Sequence, residues 1–189
     1  GSVVMLPIKK AKLWSPESPF LYDVEYIIKN AEGEVVDKVT SYFGMRKIEM
    51  DTYGMRINGK YVYQRLVLDQ GYYPDGIYTA PREEELINDI KRSIDMGYNG
   101  ARLHEKVFEP LFLYHCDRLG YLVWGEYPNW GLDTSRESAY KNCLNEWLEE
   151  LERDYNHPSI IGWCPFNETS KYTDPELSLL LFNLTKAYD

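Results

Sequence analysis

The sequence predicts an α/β protein: a β-only segment up to about residue 57, then four consecutive βα units of the kind that build a (β/α)8 barrel. Three observations carry that reading. Between Leu21 and Ile57, extended runs are broken by turn residues with no helical periodicity. Beyond Tyr61, short apolar runs alternate with amphipathic helical stretches, the layout of a parallel sheet with crossover helices. No Gly-x-Gly-x-x-Gly or phosphate-loop pattern follows any of those runs, so a nucleotide-binding sheet lacks its usual mark and a barrel is the better match.

Each element has a local cause. Tyr22, Val24, Tyr26 and Ile28 alternate with Leu21, Asp23, Glu25 and Ile27; Asn30 to Gly33 reads as a turn, and Glu34 to Tyr42 supplies the returning strand of a hairpin. A second pair lies around Arg46 to Met50 and Gly54 to Ile57. Asn58-Gly59 is a tight-turn signal leading into the apolar run Tyr61 to Leu68. So short a β segment buries little surface alone and reads as the tail of a sandwich. Pro81 and the acids of Arg82 to Glu85 start a helix whose face is Leu86, Ile90 and Ile94, with Gly97 as its stop. A strand at Gly100 to Leu103, a helix at Pro110 to Leu119 closed by Gly120, and a strand at Tyr121 to Trp124 follow. Ser135 to Tyr155 is a long helix with Leu144, Trp147, Leu148 and Leu151 on one face, halted at Asn156-His157-Pro158. Ser159 to Phe166 is the fourth strand, and Leu177 to Tyr188, after Asp174-Pro175, the last helix.

Composition narrows the function. With 44% hydrophobic and 27% charged residues, the 189-residue chain has the make-up of a globular protein. It carries 21 Lys and Arg against 30 Asp and Glu, a net charge of -9, and no basic run, which argues against nucleic acid and anionic membranes as partners. No stretch approaches the roughly 18 apolar residues of a membrane span. The N-terminal residues lack the basic-then-apolar layout of a signal peptide, and Gly1-Ser2 reads as a cloning remnant. The three cysteines are scattered and the three histidines are not at ligand spacing, so neither a disulfide framework nor a metal site is expected. Aromatic residues reach 15%, with 17 Tyr and 5 Trp; their flat apolar faces suit packing and also suit the C–H faces of sugar rings.

In a βα barrel the chemistry sits at the C-terminal strand ends. Those ends read Asp69-Gln70, Arg102-Leu103-His104-Glu105, Glu126, and Asn167-Glu168. Each carries a polar or ionisable residue that strand packing does not need. Carboxylates, one Arg, amides and abundant aromatics without a metal or nucleotide motif suit polar, ring-shaped substrates, neutral or acidic.

The run Arg153-Asp154-Tyr155-Asn156-His157-Pro158-Ser159-Ile160-Ile161-Gly162-Trp163, followed by Asn167-Glu168, resembles the signature of glycoside hydrolase family two, which includes β-galactosidases, β-glucuronidases and β-mannosidases. Leu13-Trp14-Ser15-Pro16-Glu17, Tyr42-Phe43-Gly44-Met45-Arg46, Ile57-Asn58-Gly59-Lys60, Gly97-Tyr98-Asn99 with Ala101-Arg102, and Cys116-Asp117-Arg118-Leu119-Gly120 before Val123-Trp124 agree in order and spacing. The resemblance runs from about Leu13 to Glu168.

It implies that residues 1–57 are the end of an immunoglobulin-like β-sandwich and that residues 58–189 hold the first four βα units of a TIM (β/α)8 catalytic barrel. A retaining β-glycosidase, β-galactosidase-like, uses two carboxyl groups about 5 to 5.5 Å apart, one to protonate the leaving oxygen and one to attack the anomeric carbon. By resemblance Glu168 is the acid/base, Asn167 bonds the sugar 2-hydroxyl, Arg102 orients the nucleophile, and Glu126 binds substrate, or magnesium in some members. Asp69, His104, Glu105 and Trp163 are further substrate-binding candidates, and no cofactor is expected in this chain itself. The family's nucleophile is a Glu near the end of the seventh strand. Tyr61 to Asp189 covers about half of the roughly 250 residues of a full barrel, so the chain alone is expected to be a fragment without hydrolytic activity.

Where the family commonly has Arg-Gly-Val-Asn, this chain reads Arg65-Leu66-Val67-Leu68-Asp69-Gln70, a departure that bears on the choice of sugar. A β-glucuronidase or β-mannosidase parent is the alternative. So is a non-catalytic carbohydrate-binding half-barrel with Trp124, Tyr127, Trp130 and Trp163 as stacking platforms. Four strands leave two open edges, which predicts self-association or instability.

Overall fold

The computed structural model describes residues 5–169 and 173–189; Gly1 and Ser2 lie outside the described residues. β1 (Tyr22–Lys29) and β2 (Val35–Phe43) form an antiparallel hairpin with Tyr22 opposite Phe43. Its turn closes when the Asn30 side chain accepts a hydrogen bond from the Glu34 amide. β3 (Ile48–Asp51), β4 (Gly54–Ile57) and β5 (Lys60–Tyr61) make a second antiparallel sheet.

The run Tyr61 to Leu68, which reads as one strand, is two. Asn58 and Gly59, at φ of 51° and 80°, fold Lys60 and Tyr61 back along β4. The Arg56 guanidinium then stacks 3.7 Å from the Tyr61 ring centroid and bonds Asp51. The next strand, β6 (Leu66–Asp69), starts only at Leu66.

β6 pairs in parallel with β7 (Gly100–Leu103), β7 with β8 (Leu122–Glu126), and β8 with β9 (Ile160–Cys164). The connections carry α1 (Glu83–Asp95), α2 (Pro110–Leu119) and α3 (Glu137–Asp154), and α4 (Pro175–Tyr188) follows β9. Arg82, Glu109 and Arg136 precede α1, α2 and α3 without a side-chain cap hydrogen bond, so capping chemistry marks the end of α2 and the start of α4. Gly120 ends α2 at φ 73°, where an added Cβ would stand 2.2 Å from the Pro16 carbonyl oxygen, and the Asp174 carboxylate accepts the Glu176 amide at 2.8 Å to start α4.

The sheet has a helix face and an open face. Ala101, Leu103, Val123 and Ile160 face α1 and α2, joining Leu86, Ile90, Phe112, Leu113 and Cys116 in the largest core cluster. A second cluster packs Trp147 and Leu151 of α3 against Leu177 and Leu181 of α4. On the other side Leu122 packs with Trp14, Met55 and Ile57, so the β3–β5 sheet covers the N-terminal end of the parallel strands. The register of β8 against β9 shifts between Val123 and Trp124, so Val123 lies opposite Ile160 but Trp124 opposite Gly162. That extra residue turns both Ile160 and Trp163, three apart, toward the helices.

One buried carboxylate ties the N-terminal β segment to the parallel sheet. Asp117, in the last turn of α2, accepts the Tyr42 hydroxyl at 2.8 Å, contacts His157 Nδ1 at 2.5 Å and accepts the Ser159 amide at 2.9 Å, while its main-chain oxygen accepts Trp14 Nε1. Burial, and then the Asp117 charge, push the Tyr42 phenol well above its ordinary value, so it remains a donor. Arg46 adds Nε and Nη2 donations to the carbonyls of Pro158 and Ile160, at 3.0 and 2.6 Å.

A second buried acid is poorly served. Glu150 on α3 lies behind Gly125, and its Oε2 is buried with no hydrogen-bond partner among the described residues. Burial, followed by the charge of Asp154, pushes its carboxyl from the ordinary 4.5 up to about 8, with Arg153 opposing the rise. A raised acid pKa stabilises the fold fully below the unfolded value, and that contribution is lost as pH climbs toward the folded value. Stability should therefore fall between pH 4.5 and about 8 through this group. Thermal unfolding of the native chain and of Glu150→Gln across that window should show the variant's advantage growing with pH. A difference that stays constant would mean that Glu150 does not titrate there.

Candidate active site

The C-terminal ends of β7, β8 and β9 converge on one charged cluster. Arg102 on β7 and Trp124 on β8 stand opposite each other in register on the open face, and Glu126, two residues further along β8, faces the same way. Glu126 is fully buried. It accepts Arg102 Nε at 2.5 Å and Nη2 at 3.0 Å, and its Oε1 also accepts the Glu105 amide at 3.1 Å. A buried carboxylate is stable only with such a full set of donors. The same Nη2 donates to Asn167 Oδ1 at 2.7 Å, so one guanidinium joins the ends of three strands. The bonds from Glu126 raise the Arg102 pKa further and keep the cation charged.

Asn167 is buried and held at its backbone as well. Asn129, in the loop after β8, accepts the Asn167 amide at 2.7 Å and donates to the Asn167 carbonyl at 3.2 Å. With its Oδ1 on Arg102, the side chain has a buried Nδ2 left over, unpaired among the described residues. The next residue, Glu168, is exposed and adopts φ 46°, a conformation uncommon for a residue with a Cβ. Cys164 lies beneath the cluster; burial, then the Glu126 charge, push its thiol up, which keeps it a poor nucleophile.

Not every candidate reaches this cluster. Asp69 lies on the helix face with Asp89, Ile90, Phe112 and Tyr121 around a cavity of about 350 Å³, and its carboxyl, accepting the Gly71 amide, is pushed up by burial. It shares the outward parity of Val67, two residues earlier. Trp163 also faces the helices, edge-on to Trp147 at 5.9 Å, because of the irregularity in β9. Tyr127 is buried with its hydroxyl on Glu146, and Trp124 donates to Gln64, which leaves Trp130, 70% exposed, as the open aromatic of the four platform candidates. His104 sits at the strand end against Gln70, Nδ1 to Nε2 2.9 Å. Glu126, with both oxygens on Arg102 and the Glu105 amide, has a donor set that does not fit a magnesium ion, and no group of three His, Cys, Asp or Glu suited to a metal occurs among the described residues.

Two residues of the site escape sequence reasoning. Asn129 brackets Asn167 from a loop with no motif. Lys106 is buried and donates to the carbonyls of Gly71 and Tyr78, at 3.0 and 2.8 Å, tying the loop after β6 to the loop after β7. Such a lysine has no signature short of the structure itself.

Residues 2–46 match the sequence profile of Glycosyl hydrolases family 2. A protein of Formosa agariphila, provisionally named a β-glucuronidase, is 34% identical over 92% of this chain and 17% of its own length. A β-galactosidase of Psychromonas ingrahamii is 32% identical over 82% of the chain and 16% of its own length. The chain thus spans about a sixth of the curated relatives it matches. Among solved structures, the β-glucuronidase of Parabacteroides merdae superposes with a TM-score of 0.83 at 25% identity, covering 96% of this chain and 24% of that one. The GH2 β-galacturonidase of Eisenbergiella tayi, bound to galacturonate, gives 0.85 at 27%, covering 97% and 34%. No helix among the described residues is long and apolar enough to cross a membrane.

Breaking the ion pair from one side leaves a buried, unpaired charge. Arg102→Ala should cost about 3 to 5 kcal/mol in urea unfolding, and Arg102→Met combined with Glu126→Leu should recover most of that loss. Equal losses for the single and double variants would contradict a pair whose cost lies in desolvation.

Proposed function

The chain belongs to the glycosyl hydrolases of family 2, and we propose that it supplies the acid/base part of a retaining β-glycosidase site. In this reading Glu168 protonates the glycosidic oxygen while a carboxylate from a partner segment attacks the anomeric carbon, and Glu168 then activates the water that releases the sugar. The four βα units are the opening of the (β/α)8 barrel, and the β1–β2 hairpin is the end of an immunoglobulin-like domain. The observation that carries the proposal is the Arg102–Glu126–Asn167 cluster, which fixes the residue beside Glu168 and leaves its amide Nδ2 free for a sugar hydroxyl.

The relatives' names support terminal β-glycosides as the substrate class, galactosides and glucuronides both among them. Glu168 stays exposed because it must meet the leaving group, while its support is buried. Arg102 keeps negative charge anchored in the cluster, and in the complete site it would lie near the attacking carboxylate. Asp117, Lys106 and Asn129 act through position only.

The test is kinetic, in the longer polypeptide that carries this segment. Glu168→Gln should slow hydrolysis of alkyl β-glycosides about 10² to 10⁴-fold. An aryl glycoside with a good leaving group, which needs no proton, should be much less affected in its first step. Equal slowing of both substrates, or none, would remove the acid role.

A further inference from the structure

Lys106 is a buried cation, 5% exposed, that no step of the proposed reaction uses. Its ammonium has three protons to place, and the carboxylate of Glu109 stands 3.8 Å away, beyond hydrogen-bond length. Two protons go instead to main-chain carbonyls of the loop after β6, Gly71 at 3.0 Å and Tyr78 at 2.8 Å. The ring centroids of Tyr78 and Phe108 lie 4.5 and 4.8 Å from Nζ. Gly71, at φ 63°, leaves room for the ammonium, since an added Cβ would stand 2.7 Å from Nζ.

The loop that Lys106 grips is already braced from within. Tyr73 and Ile77 exchange both main-chain hydrogen bonds, at 2.8 and 2.9 Å, and the Thr79 amide donates to the Gly76 carbonyl at 3.0 Å. A loop closed in this way holds its shape without a buried lysine, and burying the charge costs desolvation. What the lysine adds is one half of a reciprocal tie. Tyr78, whose carbonyl accepts Lys106, donates its hydroxyl to the Glu105 carbonyl at 3.0 Å. One tyrosine thus clasps residues 105 and 106 at two points.

Glu105 sits at φ 53°, in the left-handed region, a conformation that persists where the surroundings over-determine it. The turn lets two successive residues serve opposite partners. The Glu105 amide donates to the buried Glu126 at 3.1 Å, while the Lys106 side chain runs back to the loop after β6. Glu126 in turn holds Arg102, and Arg102 holds Asn167 beside Glu168. Resting on the glycosidase reading for its bearing on catalysis, we propose that Lys106 is a positioning residue: by clasping Tyr78 it fixes the turn at Glu105, and with it the third donor of the Glu126 clamp, without touching substrate.

Two variants test the clasp from its two sides. Lys106→Met removes the charge and keeps an unbranched stem, whereas Tyr78→Phe removes the hydroxyl alone and decides the matter if the first variant fails to fold. In ¹⁵N NMR of the 189-residue chain, well below the unfolding transition, each should shift the Glu105 amide and move the Arg102 Nε–H signal toward that of free arginine. A lysine that serves stability alone would lower the unfolding temperature and leave the Arg102 signal in place. In the longer polypeptide, Lys106→Met should lower kcat for alkyl β-glycosides about tenfold or more, with KM changed by less than about twofold. An unmoved Arg102 signal in the folded variants, or a raised KM at native kcat, would overturn the proposal. If Glu168→Gln leaves hydrolysis untouched, the acid role is lost, while the Arg102 signal still decides whether Lys106 sets the clamp.

Discussion

The site depends on one buried carboxylate. Glu126 is fully buried, so its charge is stable only because Arg102 and the Glu105 amide together supply three hydrogen bonds. That requirement fixes geometry well beyond the pair. Arg102 must keep its register on β7, the chain after β7 must turn through the left-handed conformation of Glu105, and the spare Nη2 donation then sets Asn167 after β9. The residue beside the exposed Glu168 is positioned by electrostatics inside the sheet rather than by the loop that carries it. Under the proposed acid/base role for Glu168, this arrangement keeps the reacting group reachable while its neighbours stay rigid.

The N-terminal β segment contributes by closing the other end. Trp14, Met55 and Ile57 cover Leu122 at the start of β8, and Asp117 gathers Tyr42, His157 and Ser159 where the chain enters β9. The start of β9 is therefore held by α2 and the hairpin, and its end by Arg102 and Asn129. The motif residues around His157-Pro158 that resemble the family signature have this structural task, some distance from Asn167 and Glu168.

Much of the fold was legible because each element obeys a local rule. Gly100 to Leu103 and Pro110 to Leu119 fall where the apolar runs, the Pro at N1 and the closing Gly120 place them. The split of Tyr61 to Leu68 was not legible, because one apolar run serves a hairpin and then a parallel strand, and only pairing divides them. Within the site, Arg102, Glu126 and Asn167 could be read from strand-end position and resemblance. Asp69 and Trp163 could not be sorted the same way, since position at a strand end does not state which face a side chain takes. For Trp163 even strict alternation misleads, because the register shift against β8 consumes a residue. Asn129 and Lys106 bond main-chain atoms brought close only by folding, and no spacing in the sequence encodes that.

The central claim is that the Arg102 clamp is complete within this chain. The most direct measurement is the guanidinium ¹⁵N NMR spectrum of Arg102, assigned by its loss in Arg102→Lys. A doubly bonded guanidinium predicts a downfield Nε–H signal, slow exchange with water and hindered rotation of the Nη groups at neutral pH. A single averaged signal like that of free arginine would show an unclamped side chain and contradict the account.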